Sequence, residues 1–267
     1  MKKRIVIKIG SSSLTEESGG IDQQKIIRYV RGISSLHQAG HEVVLVSSGA
    51  IAAGFTRIGY GSRPQDVACK QAAAAVGQAL LMQNYVDGFF WQGIVAAQML
   101  LTRPDFQNGH QRENAAQALQ ELLRQGVVPI INENDCTSIA ELTFGDNDLL
   151  SALVSGLVEA DLLVILTDVD GIYDANPADH ADAKKFHRLF DIPESLLQMD
   201  GESGSEVGTG GMKTKIGAAH LAHRAGIEVF IGKLEAAAAI QDIVDGRGNG
   251  TYICAKDGTV RVSGKGE

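Results

Sequence analysis

Cysteine is scarce in this sequence: Cys69, Cys136 and Cys254 are widely spaced, odd in number and never in a CxxC pair. That excludes a disulfide framework and a thiolate metal site, and it fits reduced thiols in a cytosolic protein. Positive charge is also in deficit. With 24 Lys and Arg against 32 Asp and Glu the formal net charge is −8, and no basic run interleaved with aromatics occurs, so no nucleic-acid partner is expected. A long hydrophobic run is missing from the N-terminus: Lys2, Lys3 and Arg4 precede an apolar stretch too short for a signal peptide or a span. A cytoplasmic protein with no membrane contact is expected.

What the sequence does have is apolar content in short, regular pieces. At 44% hydrophobic over 267 residues it can bury a large core without a partner. Strands are predicted at residues 4–9, 42–47, 93–97, 127–131, 162–167 and 228–231, each separated by a segment of helical period. The helices fall at residues 22–39, 67–90, 114–125, 148–159 and 212–225, several stopping at a glycine such as Gly40, Gly126 or Gly226. Alternation of this kind is the signature of an α/β fold with a parallel, doubly wound sheet. The alanine run at residues 72–75 reads as a tightly packed helix, and no internal repeat appears.

Ligands of such folds collect at the carboxyl ends of the strands. After the first strand comes KIGSSSL, residues 8–14, with Lys8 flanked by Ile7 and Ile9 and followed by Gly10 and three serines. A lysine there is costly to bury without a negative partner, although it can also snorkel from the strand end, and the serine turn suits an anion. After the second strand, SSGAIAAG at residues 47–54 offers Ser48 either as a helix cap or as part of a carboxylate site. NENDC, residues 132–136, and GDND, residues 145–148, bring Glu133, Asp135, Asp146 and Asp148 among amides. Beside an apolar strand this is a pocket for an ammonium group, a magnesium-bound phosphate or a lysine.

TDVDGIYDANP, residues 167–177, has acidic spacing but is no EF-hand, because Gly171 arrives too early and the twelfth-position glutamate is missing. It reads as a nucleotide-facing turn. The most informative stretch is GTGGMKTK, residues 208–215, where glycines expose main-chain N–H groups, Thr209 and Thr214 add hydroxyls, and Lys213 and Lys215 add charge at a helix start. That is chemistry for a polyphosphate. Met212 before Lys213 rules out a Walker A loop. Two Gly/Lys elements from opposite ends of the chain imply a phosphoryl group held between them. His220 and His223 stand three apart on a predicted helix, but no third ligand of suitable spacing follows, so they read as a solvated face.

KIGSSSL, SSGAIAAG, MLLT at residues 99–102, NENDC, GDNDLLSAL, LTDVDGIY and GTGGMKTK follow one another over essentially the whole chain. In this order they resemble the bacterial glutamate 5-kinase group of the amino acid kinase family. The resemblance implies a three-layer αβα sandwich around a mainly parallel sheet, formed as a single domain over residues 1–267. Residues 1–160 would bind mainly glutamate and residues 161–255 mainly ATP. It further implies ATP-dependent phosphorylation of the γ-carboxylate of L-glutamate, the first step of proline biosynthesis, with Mg²⁺ accompanying the nucleotide.

Carried over residue by residue, Lys8, Lys215 and Asp148 would be the catalytic group, Asp148 orienting the two lysines. Ser48, Gly49, Asn132, Asp135, Asp146 and Asn147 would bind glutamate. Lys8, Thr167, Asp168, Thr209, Gly210, Gly211, Met212, Lys213, Thr214 and Lys215 would hold ATP. The same resemblance implies L-proline as feedback inhibitor, a glutamyl phosphate reductase as a further partner, and a homo-oligomer. Many members carry an additional C-terminal PUA domain, and the chain is expected to be a short form without it.

The residues themselves agree with carboxylate phosphorylation. A glutamate side chain, with a pKa of about 4.3, is already an anion at neutral pH, so no general base is needed. The difficulty is repulsion between carboxylate and triphosphate, which cations relieve. An N-acetylglutamate, aspartate, carbamate or uridylate kinase would share the fold; Asp135 speaks against the first, whose acetylated amine needs no carboxylate opposite it. A regulatory module that has lost catalysis would lack a lysine. A dinucleotide-dependent dehydrogenase would carry GxGxxG where KIGSSSL stands.

Overall fold

The computed structural model describes residues 1–16, 18–137, 147–177, 179–180, 182–198 and 211–254. Among the described residues, ten strands run in chain order as β1 (Arg4–Ile9), β2 (Glu42–Ser47), β3 (Ala96–Leu101), β4 (Val128–Glu133), β5 (Leu162–Leu166), β6 (Ile172–Tyr173), β7 (Lys185–Phe186), β8 (Arg188–Leu189), β9 (Glu228–Gly232) and β10 (Gly250–Ile253). The helices are α1 (Gln23–Gln38), α2 (Ala50–Gly54), α3 (Val67–Phe90), α4 (Arg103–Gln107), α5 (Gly109–Arg124), α6 (Asn147–Leu157), α7 (Glu194–Leu197), α8 (Met212–Arg224) and α9 (Ala239–Val244).

Eight strands form one sheet in the order β3-β4-β2-β1-β5-β9-β10-β8, while β6 and β7 make a small separate hairpin. From β3 to β9 every pairing is parallel, and β10 reverses against β9. Side chains alternate across a strand, so β1 divides its residues between two cores. Ile5, Ile7 and Ile9 face the helices α1, α3 and α9, with Ile26, Ile33, Tyr85 and Ile240 among their neighbours. Val6 lies on the opposite face, in the core with Leu119 of α5, Leu150 and Val154 of α6, and Ile216 of α8. This is the three-layer αβα sandwich. The same alternation places Lys8 on the α6 and α8 face, which decides where its ammonium goes.

Two predicted starts move by three residues or more, each for a local reason. The strand expected from residue 93 begins at Ala96, because Gly93, at a φ of 71°, closes the end of α3 with its N–H on the Phe90 carbonyl. The helix expected from residue 114 begins at Gly109, capped by Asn108, whose side chain accepts from the N–H groups of His110 and Gln111.

The alanine-rich α3 explains itself by what it touches. A Cβ on Gly77 would collide with the Ala50 carbonyl oxygen, and one on Gly54 with that of Ala73. Helices α2 and α3 therefore meet backbone to backbone, fixing the turn that connects β2 to α2.

Candidate active site

All of β1, β2, β4 and β5 end at the same edge of the sheet because they are parallel, and their following residues converge there. Lys8, on the central strand, is only 2% exposed. It reaches under the first turn of α6, where its Nζ lies 2.5 Å from Asp148 Oδ1. From α8, Lys215 Nζ approaches the other oxygen of the same carboxylate at 3.2 Å. The Thr214 hydroxyl lies 3.1 Å from that oxygen and 2.8 Å from the Gly211 carbonyl. Asp148 itself has no exposed surface.

The position of Asp148 in the first turn of a helix favours its charge, through the unpaired N–H groups and the dipole. The carboxylate thus gathers two ammonium groups at one buried point. Cations brought together in this way suit an incoming phosphoryl oxygen.

On the neighbouring side, Asn147 ties three elements together. Its Nδ2 lies 2.7 Å from the Ser47 carbonyl, 3.0 Å from Ser48 Oγ and 2.7 Å from Asn132 Oδ1. Asn132 in turn donates from Nδ2 to Gln78 Oε1 at 2.8 Å and accepts from the Glu133 N–H. The buried Asn147 Oδ1 finds no hydrogen-bond partner among the described residues. Ser48 is not a cap: α2 begins after Gly49, with no side-chain cap, and Gly49 adopts a φ of 101° that favours glycine.

Asp135 sits just beyond β4 in a different electrostatic state. Burial, and then the Glu133 charge beside it, push its carboxyl up to about 7, against the opposing influence of Arg63. Arg63 is partly buried in the loop before α3.

After β5, buried Thr167 donates its hydroxyl to Asp168 Oδ1 at 3.0 Å, while its N–H goes to the Gly232 carbonyl at the end of β9. Asp168 is exposed at the same edge. The next turn is held from below: Lys185 Nζ contacts Asp170 Oδ2 at 3.0 Å and Asn249 Oδ1 at 2.7 Å, and Thr251 Oγ1 accepts the Ile172 N–H. Gly211 precedes α8 with extended backbone and open space beside it; Met212 is half-buried against the core, and Lys213 points outward, apart from the lysine cluster. Asp146, Thr209 and Gly210 lie outside the described residues.

Sequence reasoning missed Gln78 and Arg63. A lone glutamine within AAAAVGQALL was the available signal for the first, since a buried amide needs a partner. Among the described residues no three His, Cys, Asp or Glu side chains gather as a metal site, His220 and His223 included, and no helix is long and apolar enough to cross a membrane.

A central lysine, a second lysine at a helix start and polar loops along one sheet edge make the architecture of a phosphoryl-transfer site. The sequence profile of the Amino acid kinase family matches residues 3–233. A glutamate 5-kinase of Halalkalibacterium halodurans is 62% identical over 252 residues, covering 94% of this chain and 67% of that protein. Glutamate 5-kinase 1 of Bacillus subtilis is 55% identical over 256 residues, 96% of this chain and 70% of the relative.

Among solved structures, carbamate kinase from Giardia lamblia bound to AMP-PNP superposes with a TM-score of 0.67 at 20% identity, over 95% of this chain and 99% of that one. UMP kinase from Ureaplasma parvum gives 0.65 at 16% identity, over 95% and 99% of the two chains. The chain belongs to the amino acid kinase family.

Proposed function

We propose that this chain is an enzyme that transfers the γ-phosphoryl group of ATP to the side-chain carboxylate of L-glutamate, giving L-glutamyl 5-phosphate and ADP as the first step of proline biosynthesis. The observation that carries the reading is the buried Lys8–Asp148–Lys215 cluster between an acceptor-side amide network and the nucleotide-side loops. A γ-carboxylate oxygen attacks the γ-phosphorus, the bond from that phosphorus to the bridging oxygen breaks, and ADP leaves with the electron pair. No proton moves, because the acceptor is ionised at the outset.

What the protein must supply is charge and alignment. Lys8 and Lys215 face the oxygens on which negative charge gathers during transfer, and Asp148 keeps the two ammoniums from moving apart. Mg²⁺ would arrive on the ATP phosphates and add charge there, since the described residues hold no metal cluster of their own. Thr167, Asp168 and the start of α8 form the nucleotide side, so residues from 161 onward serve ATP. Ser48, Asn132, Asp135 and Asn147 form the acceptor side, within the first 160 residues.

Asp135 sets the choice of acceptor. Its carboxyl needs a cation to ionise comfortably, and the α-ammonium of glutamate provides one; an N-acetylated amine or a pyrimidine nucleotide does not. L-Proline keeps the α-carboxylate and a charged amine but lacks the γ-carboxylate, so it occupies the same site without accepting a phosphoryl group. ATP turnover with glutamate, N-acetylglutamate, aspartate and UMP, with hydroxylamine to trap acyl phosphate, tests the function. Hydroxamate that depends on glutamate alone is the expected outcome, and its absence overturns the reading.

A further inference from the structure

The turn after β1, residues 10–15, lies beside the lysine cluster: a Cβ on Gly10 would stand 3.8 Å from Lys8 Nζ. Its internal bonds run Ser13 N–H to the Gly10 carbonyl, and Leu14 and Thr15 N–H to the Ser11 carbonyl, to which the Thr15 hydroxyl also donates. The N–H groups of Ser11 and Ser12 donate to no backbone carbonyl among the described residues. A turn with its carbonyls drawn back and its leading amides forward is an anion cradle, provided something holds the carbonyls.

Helix α1 does so. Lys25 Nζ donates to the Thr15 carbonyl at 2.8 Å and the Ser12 carbonyl at 3.2 Å, with Asp22 Oδ2 at 3.8 Å. Asp22 also caps the helix by accepting the Lys25 N–H at 3.1 Å. One turn further along the same helix face, the Ser13 side chain lies close enough to the phenol of buried Tyr29 to favour its ionised form, against the larger effect of burial. A lysine that spends its donors on two carbonyls of one turn, while the residue at i+4 packs beside Ser13 of that turn, is a brace and not a surface charge.

We propose that Lys25 and Tyr29 are positioning residues of α1 that hold the residue 10–15 turn in the shape that receives the transferring phosphoryl group. Neither touches substrate; both act through the turn. The inference rests on reading that turn as a γ-phosphate site, and it places the brace on the triphosphate rather than on the nucleoside or the amino acid.

The test is calorimetric binding of AMP-PNP and of ADP, each with Mg²⁺, to the full chain, alongside glutamate-dependent hydroxamate formation. Lys25→Met should weaken AMP-PNP about tenfold or more, the scale of a misplaced group, while ADP changes by less than about twofold. Turnover should fall in parallel, with KM for glutamate unchanged. Lys25→Arg, which can span both carbonyls, should restore most of the AMP-PNP preference, and Tyr29→Phe should lose about threefold. A purely structural lysine would weaken both nucleotides together and lower the melting temperature without rescue by arginine, and that result overturns the proposal. So does an unchanged AMP-PNP to ADP ratio in Lys25→Met. If Lys25→Met does not fold, the Lys25→Arg and Tyr29→Phe ratios decide in the same way. Wild-type chain that binds AMP-PNP but forms no hydroxamate would sink the glutamate reading alone, and the nucleotide ratios would still judge the brace.

Discussion

Two aspartates of the site, the buried Asp148 and the half-buried Asp135, live under opposite conditions. Asp148 begins a helix and has a lysine on each oxygen; Asp135 follows a strand, with Glu133 as neighbour and a partly buried Arg63 as its counter-charge. The first is complete before any substrate arrives. The second has its carboxyl pushed up to about 7, so ionising it at neutral pH is nearly balanced, and a cationic ligand tips that balance. One aspartate organises charge for the reaction, the other reads charge on the acceptor. The difference is that between a group the fold has already matched and one left for a ligand to match.

The largest effects are expected where the matched cluster is opened. Lys8→Ala and Lys215→Ala should each lower turnover by about a hundredfold or more, the scale of losing one preorganised stabiliser of transition-state charge. Stability should respond in the opposite order. Removing one lysine leaves Asp148 with the other, a neutral pair. Asp148→Asn leaves two buried ammonium groups facing each other and should cost about 3 kcal/mol or more of folding stability as well as turnover. Denaturant unfolding of the three variants checks this asymmetry; equal stability for all three would mean that Asp148 is no hub.

Asp135→Asn should behave the other way round. Glutamate and proline should weaken together, by about a hundredfold, because each loses the carboxylate opposite its amine, while ATP affinity barely changes. The folded protein should be no less stable, since burial and Glu133 outweigh the attraction of Arg63 for that charge. An inhibition series with proline across glutamate concentrations, in wild type and variant, reads both. Proline inhibition that glutamate cannot relieve, or that survives the substitution while glutamate binding collapses, separates the two sites and breaks the comparison.

A smaller effect is expected at Gln78, whose side chain holds Asn132 for the acceptor. Gln78→Leu leaves the buried Asn132 amide without that acceptor, worth about 1–3 kcal/mol, so KM for glutamate should rise about tenfold with KM for ATP unchanged.

Gln78 also marks the limit of what the sequence made legible. The ends of β1 and β2 and the whole span of α3 follow from apolar period and breakers, and the polar residues after each strand located the site. Burial of Lys8 followed from its β-branched neighbours. Its partner did not: the pairing with Asp148 joins segments far apart in the chain, and it entered through resemblance. Gln78 meets Asn132 across 54 positions, and Lys25 meets the residue 10–15 turn through backbone carbonyls, which carry no residue-type signal. The small hairpin β6–β7 escaped because each strand is two residues long, too short for a period to show.

The finest test of the two aspartates is their response to pH. Asp135 has a folded-state carboxyl near 7 against an ordinary value near 3.9, so between those limits the folded ligand-free protein binds a proton that the unfolded chain does not. The charged form therefore works against folding, and its cost grows as pH rises from about 4 to about 7 and stays level above. Any stability gained by Asp135→Asn should accordingly be full at pH 8 and vanish towards pH 4. Glutamate binding runs in the reverse sense, because its ammonium needs the carboxylate. Below about pH 7 the affinity should fall by up to tenfold per unit, with close to one proton released for each glutamate bound, and Asp135→Asn should abolish that slope. Titration calorimetry in buffers of different ionisation enthalpy counts the proton. A slope that persists in the variant would assign the titrating group to Glu133, and Asp135 would then be as silent to pH as a fully matched aspartate.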